Sequence, residues 1–288
     1  MGLRRSSPFF AGTMPVSGAP RRSILLVTAL LALAGAARGA DRAGTAGRVA
    51  ALYPQDARRD LTGADFERYR GAGILWCRGP DGVPQKAAAA WLIADRSTVL
   101  LNAHNFRDRR LAVTRPVADC YFQIGGRNYE FEADSLVLGT APGADGLHIT
   151  DDWAILRLDR PADAAPQPLP EPPDLPVGDI TLPVTMVSPA GHGNYRGPSS
   201  LERCVIRRID PPSEDAIRRA RHDCNDGYGG SGSGLFDEAG RLIALQSASL
   251  SMNSRSRFDI EFHYGSALLL EGGLLAALRG RAPAGGRR

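Results

Sequence analysis

The chain has 288 residues, 43% of them apolar, enough to bury a sizeable core and too many for wholesale disorder. With 33 Gly and 21 Pro it points to a turn-rich protein rather than a helix bundle. The formal charge of +4 is set by the leader: residues 1–39 hold five Arg and no acid, and without them the charge is −1, which removes the main electrostatic argument for a nucleic-acid partner.

Arg21 and Arg22 precede an apolar run, Ile24 to Ala34, and small residues through Ala40. That is the pattern of an export signal. The run is short for a membrane-spanning helix, which needs about 20 apolar residues. The expected contact with a membrane is therefore the export signal alone, with a retained anchor as the rival. Cleavage after Gly39 fits best, and after Ala36 nearly as well. Residues 40–69 follow as an N-terminal arm or a pro-segment, because 41–65 is polar, rich in Arg and Asp, and without a strand pattern. The expected location is secreted or periplasmic. There an even number of Cys suggests disulfides. Cys77, Cys120, Cys204 and Cys224 allow three pairings, and their two-and-two split along the chain favours Cys77–Cys120 and Cys204–Cys224. No C-x-x-C or H-x-x-x-H spacing supports zinc, so neither a metal nor a cofactor is expected.

From Gly73 on, short apolar runs alternate with turn residues. Ala88–Ala94, Thr98–Asn102, Cys120–Ile124, Ser135–Gly139 and Trp153–Leu158 have strand length and strand-forming residues. Residues 161–178 carry seven Pro and read as a connection across the surface. Strand-like runs resume at Thr185–Ser188, Cys204–Ile209, Gly234–Phe236 and Leu242–Leu250. Pro212–Arg221, with acids early and bases late, predicts a short inserted helix. Ser266–Arg279 predicts a terminal helix, and 280–288 a disordered tail. The pattern is all-β, with two small units over 70–170 and 171–279.

Three segments carry chemistry. Val99–Asn105 places His104 just after an apolar run. Asp152 opens the apolar run Trp153–Leu158. Gly227–Phe236 sets Ser231 in a Gly-rich turn ahead of a strand. A Ser hydroxyl is a poor nucleophile unless a base lies within hydrogen-bond reach. Neutral imidazole can take that proton and return it, and a buried carboxylate fixes its tautomer. The order His, Asp, Ser is that of the chymotrypsin type of triad. Glycines 229, 230 and 232 leave room for backbone amides to converge on an oxyanion, with Gly229 and Ser231 as the donors.

These segments resemble the trypsin/chymotrypsin superfamily, most of all its bacterial branch of secreted trypsin-like and glutamyl-endopeptidase-like proteases. Leu101-Asn-Ala-His104 resembles the T-A-A-H box. Asp152-Trp-Ala-Ile-Leu resembles the D-[IVW]-A-[LIV]-[LIV] box. Gly229-Gly-Ser231-Gly-Ser-Gly-Leu resembles the G-[ND]-S-G-[SG]-P-[LV] box. The resemblance covers about residues 70–275. It implies two six-stranded antiparallel barrels with a C-terminal helix, the triad in the cleft between them, a polypeptide substrate and a monomer. It also implies a primary pocket walled by Asn225 and Asp226 and by Gln246, Ser247, Ala248 and Ser249. Asp226 there would favour a basic side chain. Gln246 stands where glutamyl-specific relatives carry His, which argues against acidic preference. Ser247 to Ser249 would pair with substrate backbone as an added strand. The chain departs from the family at Gly230, where trypsin has Asp, and it lacks an Ile-Val-Gly-Gly start, so activation by a new N-terminus is not expected. Asn102, Asn105 and Gly234 are further departures that leave the chemistry intact.

Two other readings are open at this level. One is a catalytically inactive binding protein on the same fold, which displaced triad geometry would favour. The other is an esterase of the α/β-hydrolase kind, which the order of the three residues opposes.

Overall fold

The computed structural model describes residues 52–141, 143–191, 197–225, 230–249 and 256–281. The expected leader, the residues before Leu52, and the tail from 282 on lie outside them.

The described chain enters through a two-residue strand, Arg59–Asp60 (β1), and a short helix, Gly63–Arg68 (α1). A first sheet follows: Ala72–Arg78 (β2), Pro84–Leu92 (β3), Thr98–Leu101 (β4), Cys120–Ile124 (β5), Arg127–Glu130 (β6), Val137–Leu138 (β7) and Ala154–Arg157 (β8). Its order is β6-β5-β2-β3-β4-β8-β7, every pair antiparallel. A second sheet takes Gly178–Ser188 (β9), Ser200–Ile209 (β10), Arg219–His222 (β11), Gly234–Phe236 (β12), Leu242–Ser249 (β13) and Gly265–Leu269 (β14). Because β9 pairs with both β12 and β10, these six strands close into a ring, and β1 is added beside β10. The helix Gly272–Arg281 (α2) ends the described chain. The second sheet is thus the closed six-stranded barrel that was expected. The first is a half-barrel of seven short strands, drawn in by a bridge between Phe131 and Leu158.

Side-chain alternation sets how the two units meet. Successive residues of a strand face opposite ways. In β4, Val99 and Leu101 enter the core of the first sheet, while Leu100 enters a cluster shared with the second. In β8, Ala154 and Leu156 face the first core and Ile155 the shared cluster. Trp91, Trp153, Phe236, Leu245 and Leu268 fill that shared cluster. It fixes the ends of β4 and β8 against the second barrel, where the candidate residues emerge. Both disulfides form as expected, Cys77–Cys120 and Cys204–Cys224.

Two expected helices differ. Pro212–Arg221 is a turn followed by β11: Ser213 N–H donates to Ile217 O, and Ala216 has φ of +57°. The charge pattern that suggested a helix serves ion pairs instead. Arg219 and Arg221 reach Asp210, Arg218 chelates Glu271, and Ala220 and His222 point inward. The terminal Leu/Ala run is split, with 265–269 as β14 and 272–281 as the helix. A strand there is what closes the ring between β11 and β13. The helix runs two residues beyond the start of the expected tail.

Candidate active site

Three turns deliver the three side chains. After β4, Asn102 is buried and its Nδ2 donates to Asp152 O at 2.9 Å. The tight turn Ala103–Asn105 then projects His104, whose backbone N–H donates to Asp152 Oδ1 at 2.8 Å. Asp152 follows the turn Ile149–Asp151 at the start of β8, and the pairing of Leu101 with Ala154 brings the two segments together. His104 Nδ1 lies 2.7 Å from Asp152 Oδ2, and His104 Nε2 lies 2.9 Å from Ser231 Oγ. The Asp152 side chain is 4% exposed, whereas the imidazole is 33% exposed. The carboxylate accepts from His104 at Nδ1, which leaves Nε2 as the acceptor for the Ser231 hydroxyl.

The turn that carries Ser231 is pinned by backbone bonds. Ala89 N–H donates to Ser231 O, Gly232 N–H to Gln246 O, and Gln246 N–H to Ser233 O. Trp91 Nε1 donates to Gly232 O at 2.8 Å. Gly232 has φ of +78°, and a Cβ there would lie 2.1 Å from Ala89 O, so both conformation and space require glycine. The Ser231 amide, expected to donate to an oxyanion, has no backbone carbonyl acceptor among the described residues. Gly229, the second expected donor, lies outside the described residues.

A family model for the trypsin-like peptidase domain matches residues 88–245. The chain belongs to the trypsin-like peptidase domain family. No curated protein matches it. Among solved structures, a Glu endopeptidase in complex with MPD superposes with a TM-score of 0.55 at 12% identity, over 80% of this chain and 99% of its own. At that identity the likeness is one of fold.

The neighbouring residues of this trypsin-like peptidase chain separate the candidates from their rivals. Ser233 is buried and its hydroxyl pairs with Ser188, so it does not compete with Ser231. Asp151 turns to Thr150 rather than to the imidazole, and burial pushes its carboxyl up. Burial pulls the His104 pKa down, but the charge and hydrogen bond of Asp152 outweigh it, and the imidazole ends above its ordinary value of 6.5. His148 is exposed beside Asp145. His222 accepts from Cys224 N–H and meets Gln246 Oε1. His263 meets Leu52 O. His192 lies outside the described residues.

The expected pocket residues are engaged internally. Asn225 bonds to Tyr53, Gln55 and Glu202. Gln246 Nε2 donates to Ala248 O and to Ser249 Oγ. Asp226 lies outside the described residues. Ser247 has a role the sequence did not suggest: its hydroxyl donates to Asp152 Oδ2. Nothing local in the sequence links residues 95 positions apart. The link comes from β13 passing beside the start of β8.

Proposed function

We propose that this chain is a secreted serine endopeptidase that cleaves peptide bonds through an acyl-enzyme on Ser231. The observation that carries the reading is His104 bridging Asp152 and Ser231, at 2.7 Å on one nitrogen and 2.9 Å on the other. His104 Nε2 takes the hydroxyl proton as Ser231 Oγ attacks the scissile carbonyl. The imidazolium formed is stabilised by Asp152, which three donors hold in place: His104 N, His104 Nδ1 and Ser247 Oγ. The oxyanion is met by the amide of Ser231, with Gly229 as its expected partner. His104 then protonates the leaving amine and, in the second half, activates the water that frees Ser231.

Beyond Gln246, β13 has a strand partner on one side only among the described residues, namely β14. That supports Ser247–Ser249 as the edge on which substrate backbone adds a strand. The two disulfides support an oxidising compartment. The neighbour is named a Glu endopeptidase, but that specificity is not carried over, since Gln246 stands where the resemblance expects glutamyl-specific relatives to carry His. Digestion of a peptide library by the purified chain tests the reading. Cleavage that is lost in Ser231→Ala is expected. A folded wild-type chain that leaves every peptide intact across neutral and mildly alkaline pH would sink it.

A further inference from the structure

The loop that carries Ser231 is fixed at both ends. Downstream, Ser231, Gly232 and Ser233 bond to β3 and β13. Upstream, the anchor is Asn225, six residues before the nucleophile and 2% exposed. Its backbone N–H donates to Glu202 Oε2 at 2.6 Å, and its Nδ2 to Glu202 Oε1 at 2.9 Å. Its remaining partners come from the far N-terminal side of the chain. Tyr53 N–H donates to Asn225 Oδ1 at 2.8 Å, and Asn225 Nδ2 donates to Gln55 O at 2.7 Å.

The arm is itself held along its length. Leu52 is fully buried and its carbonyl meets His263 Nε2. The Tyr53 hydroxyl donates to His222 O, and its ring sits edge-on to His263 at 5.2 Å. Arg59 and Asp60 pair with Leu201 and Ser200 on β10, one turn of pleat from Glu202. These are the contacts of a built-in strand rather than of a segment awaiting removal.

We propose that residues 52–61 are a permanent positioning strap for the nucleophile loop, with Asn225 as the pin, and that Asn225 does not touch substrate. This rests on the serine-endopeptidase reading. It predicts that active enzyme retains these residues. It also assigns Asn225, which the family resemblance placed in the pocket wall, to holding the loop.

The test uses the full chain in three variants. Tyr53→Ala loosens the strap while leaving Asn225 in place, Asn225→Ala removes the pin, and Arg127→Ala, outside the strap, is the control, losing the exposed pair with Asp163. Well below each melting temperature, kcat is expected to fall about 100-fold for Asn225→Ala and about tenfold for Tyr53→Ala, since small displacements of reacting groups cost that much. Preference for the residue before the cleaved bond should stay as in wild type, Tyr53→Phe should recover most of the loss, and Arg127→Ala should match wild type. A second readout needs no turnover. Amide hydrogen exchange over residues 224–232 should quicken in both strap variants and not in the control. Unchanged kcat and exchange would overturn the strap. So would a shifted substrate preference in Asn225→Ala, which would put that side chain on the substrate. If the wild-type chain hydrolyses nothing, the endopeptidase reading fails, while exchange still decides the strap.

Discussion

Gly232→Ala tests whether the nucleophile turn is as tightly fixed as its contacts indicate. The new methyl group would lie 2.1 Å from Ala89 O and 2.9 Å from Ala89 C, at a φ of +78°. The left-handed conformation alone costs an L-residue about 1–2 kcal/mol. The clash is with backbone, which no rotamer change can relieve, and overpacking of that kind costs about 1–3 kcal/mol more. A total loss of about 3 kcal/mol is expected, read as a lower midpoint in equilibrium urea unfolding. Relief requires β3 and the turn to part by about 1 Å, the scale on which misplacement costs about 100-fold in rate. Because Ala89 N–H also holds Ser231 O, that movement displaces the nucleophile directly. The comparison is Gly240→Ala, at the same φ of +78° but with nothing within 4 Å. It should show the conformational cost of about 1 kcal/mol and no loss of kcat/KM. A Gly232→Ala chain with wild-type kcat/KM and midpoint would refute the reasoning.

In the proposed mechanism the base is neutral His104, so kcat/KM should rise with pH through a midpoint above 6.5, because Asp152 outweighs burial there. In Asp152→Asn only the lowering effects of burial and of the Arg115 charge remain, and the midpoint should drop below 6.5 while activity falls about 10⁴-fold, as a pH–rate series would show. The same raised pKa means that His104 contributes to folding stability fully below pH 6.5 and loses that contribution as pH rises through the raised value, which urea melts at pH 5.5 and 9 can compare. The disulfides close loops of different size, with separations of 43 and 20 residues. Replacing both cysteines by Ala should cost about 4 kcal/mol for Cys77–Cys120 and about 3 kcal/mol for Cys204–Cys224 in urea unfolding. Arg218 makes three bonds to the carboxylate of Glu271, which is buried, so Arg218→Met should cost about 3 kcal/mol by stranding that charge, whereas equal stability would show the pair to be dispensable.

The three candidate segments stand out in the sequence because each is short and locally marked. A buried run ends in His104, another begins at Asp152, and glycines surround Ser231. The strands Cys120–Ile124 and Gly234–Phe236 were equally plain, being apolar runs bounded by turns. What failed to show depends on partners distant in sequence. In β11 arginines alternate with inward Ala220 and His222, and these arginines find Asp210, so the strand looks like a charged helix. The first half of the terminal Leu/Ala run becomes a strand only because β11 and β13 leave a gap for it. The segment from Leu52 to Leu61 is polar and patternless, yet the second barrel binds it through backbone groups that no side-chain pattern reveals. Ser247 stays on the proposed substrate edge through its backbone, and the contact of its hydroxyl with Asp152 has no local mark in the sequence.

The proposed activity depends on one hydroxyl made reactive by one imidazole. A fluorophosphonate probe, followed by mass spectrometry of the labelled peptide, reads that directly. Wild type and Ser233→Ala should carry the adduct on Ser231, and His104→Ala and Ser231→Ala should carry none. An adduct on another residue, or undiminished labelling once Ser231 or His104 is gone, would contradict it.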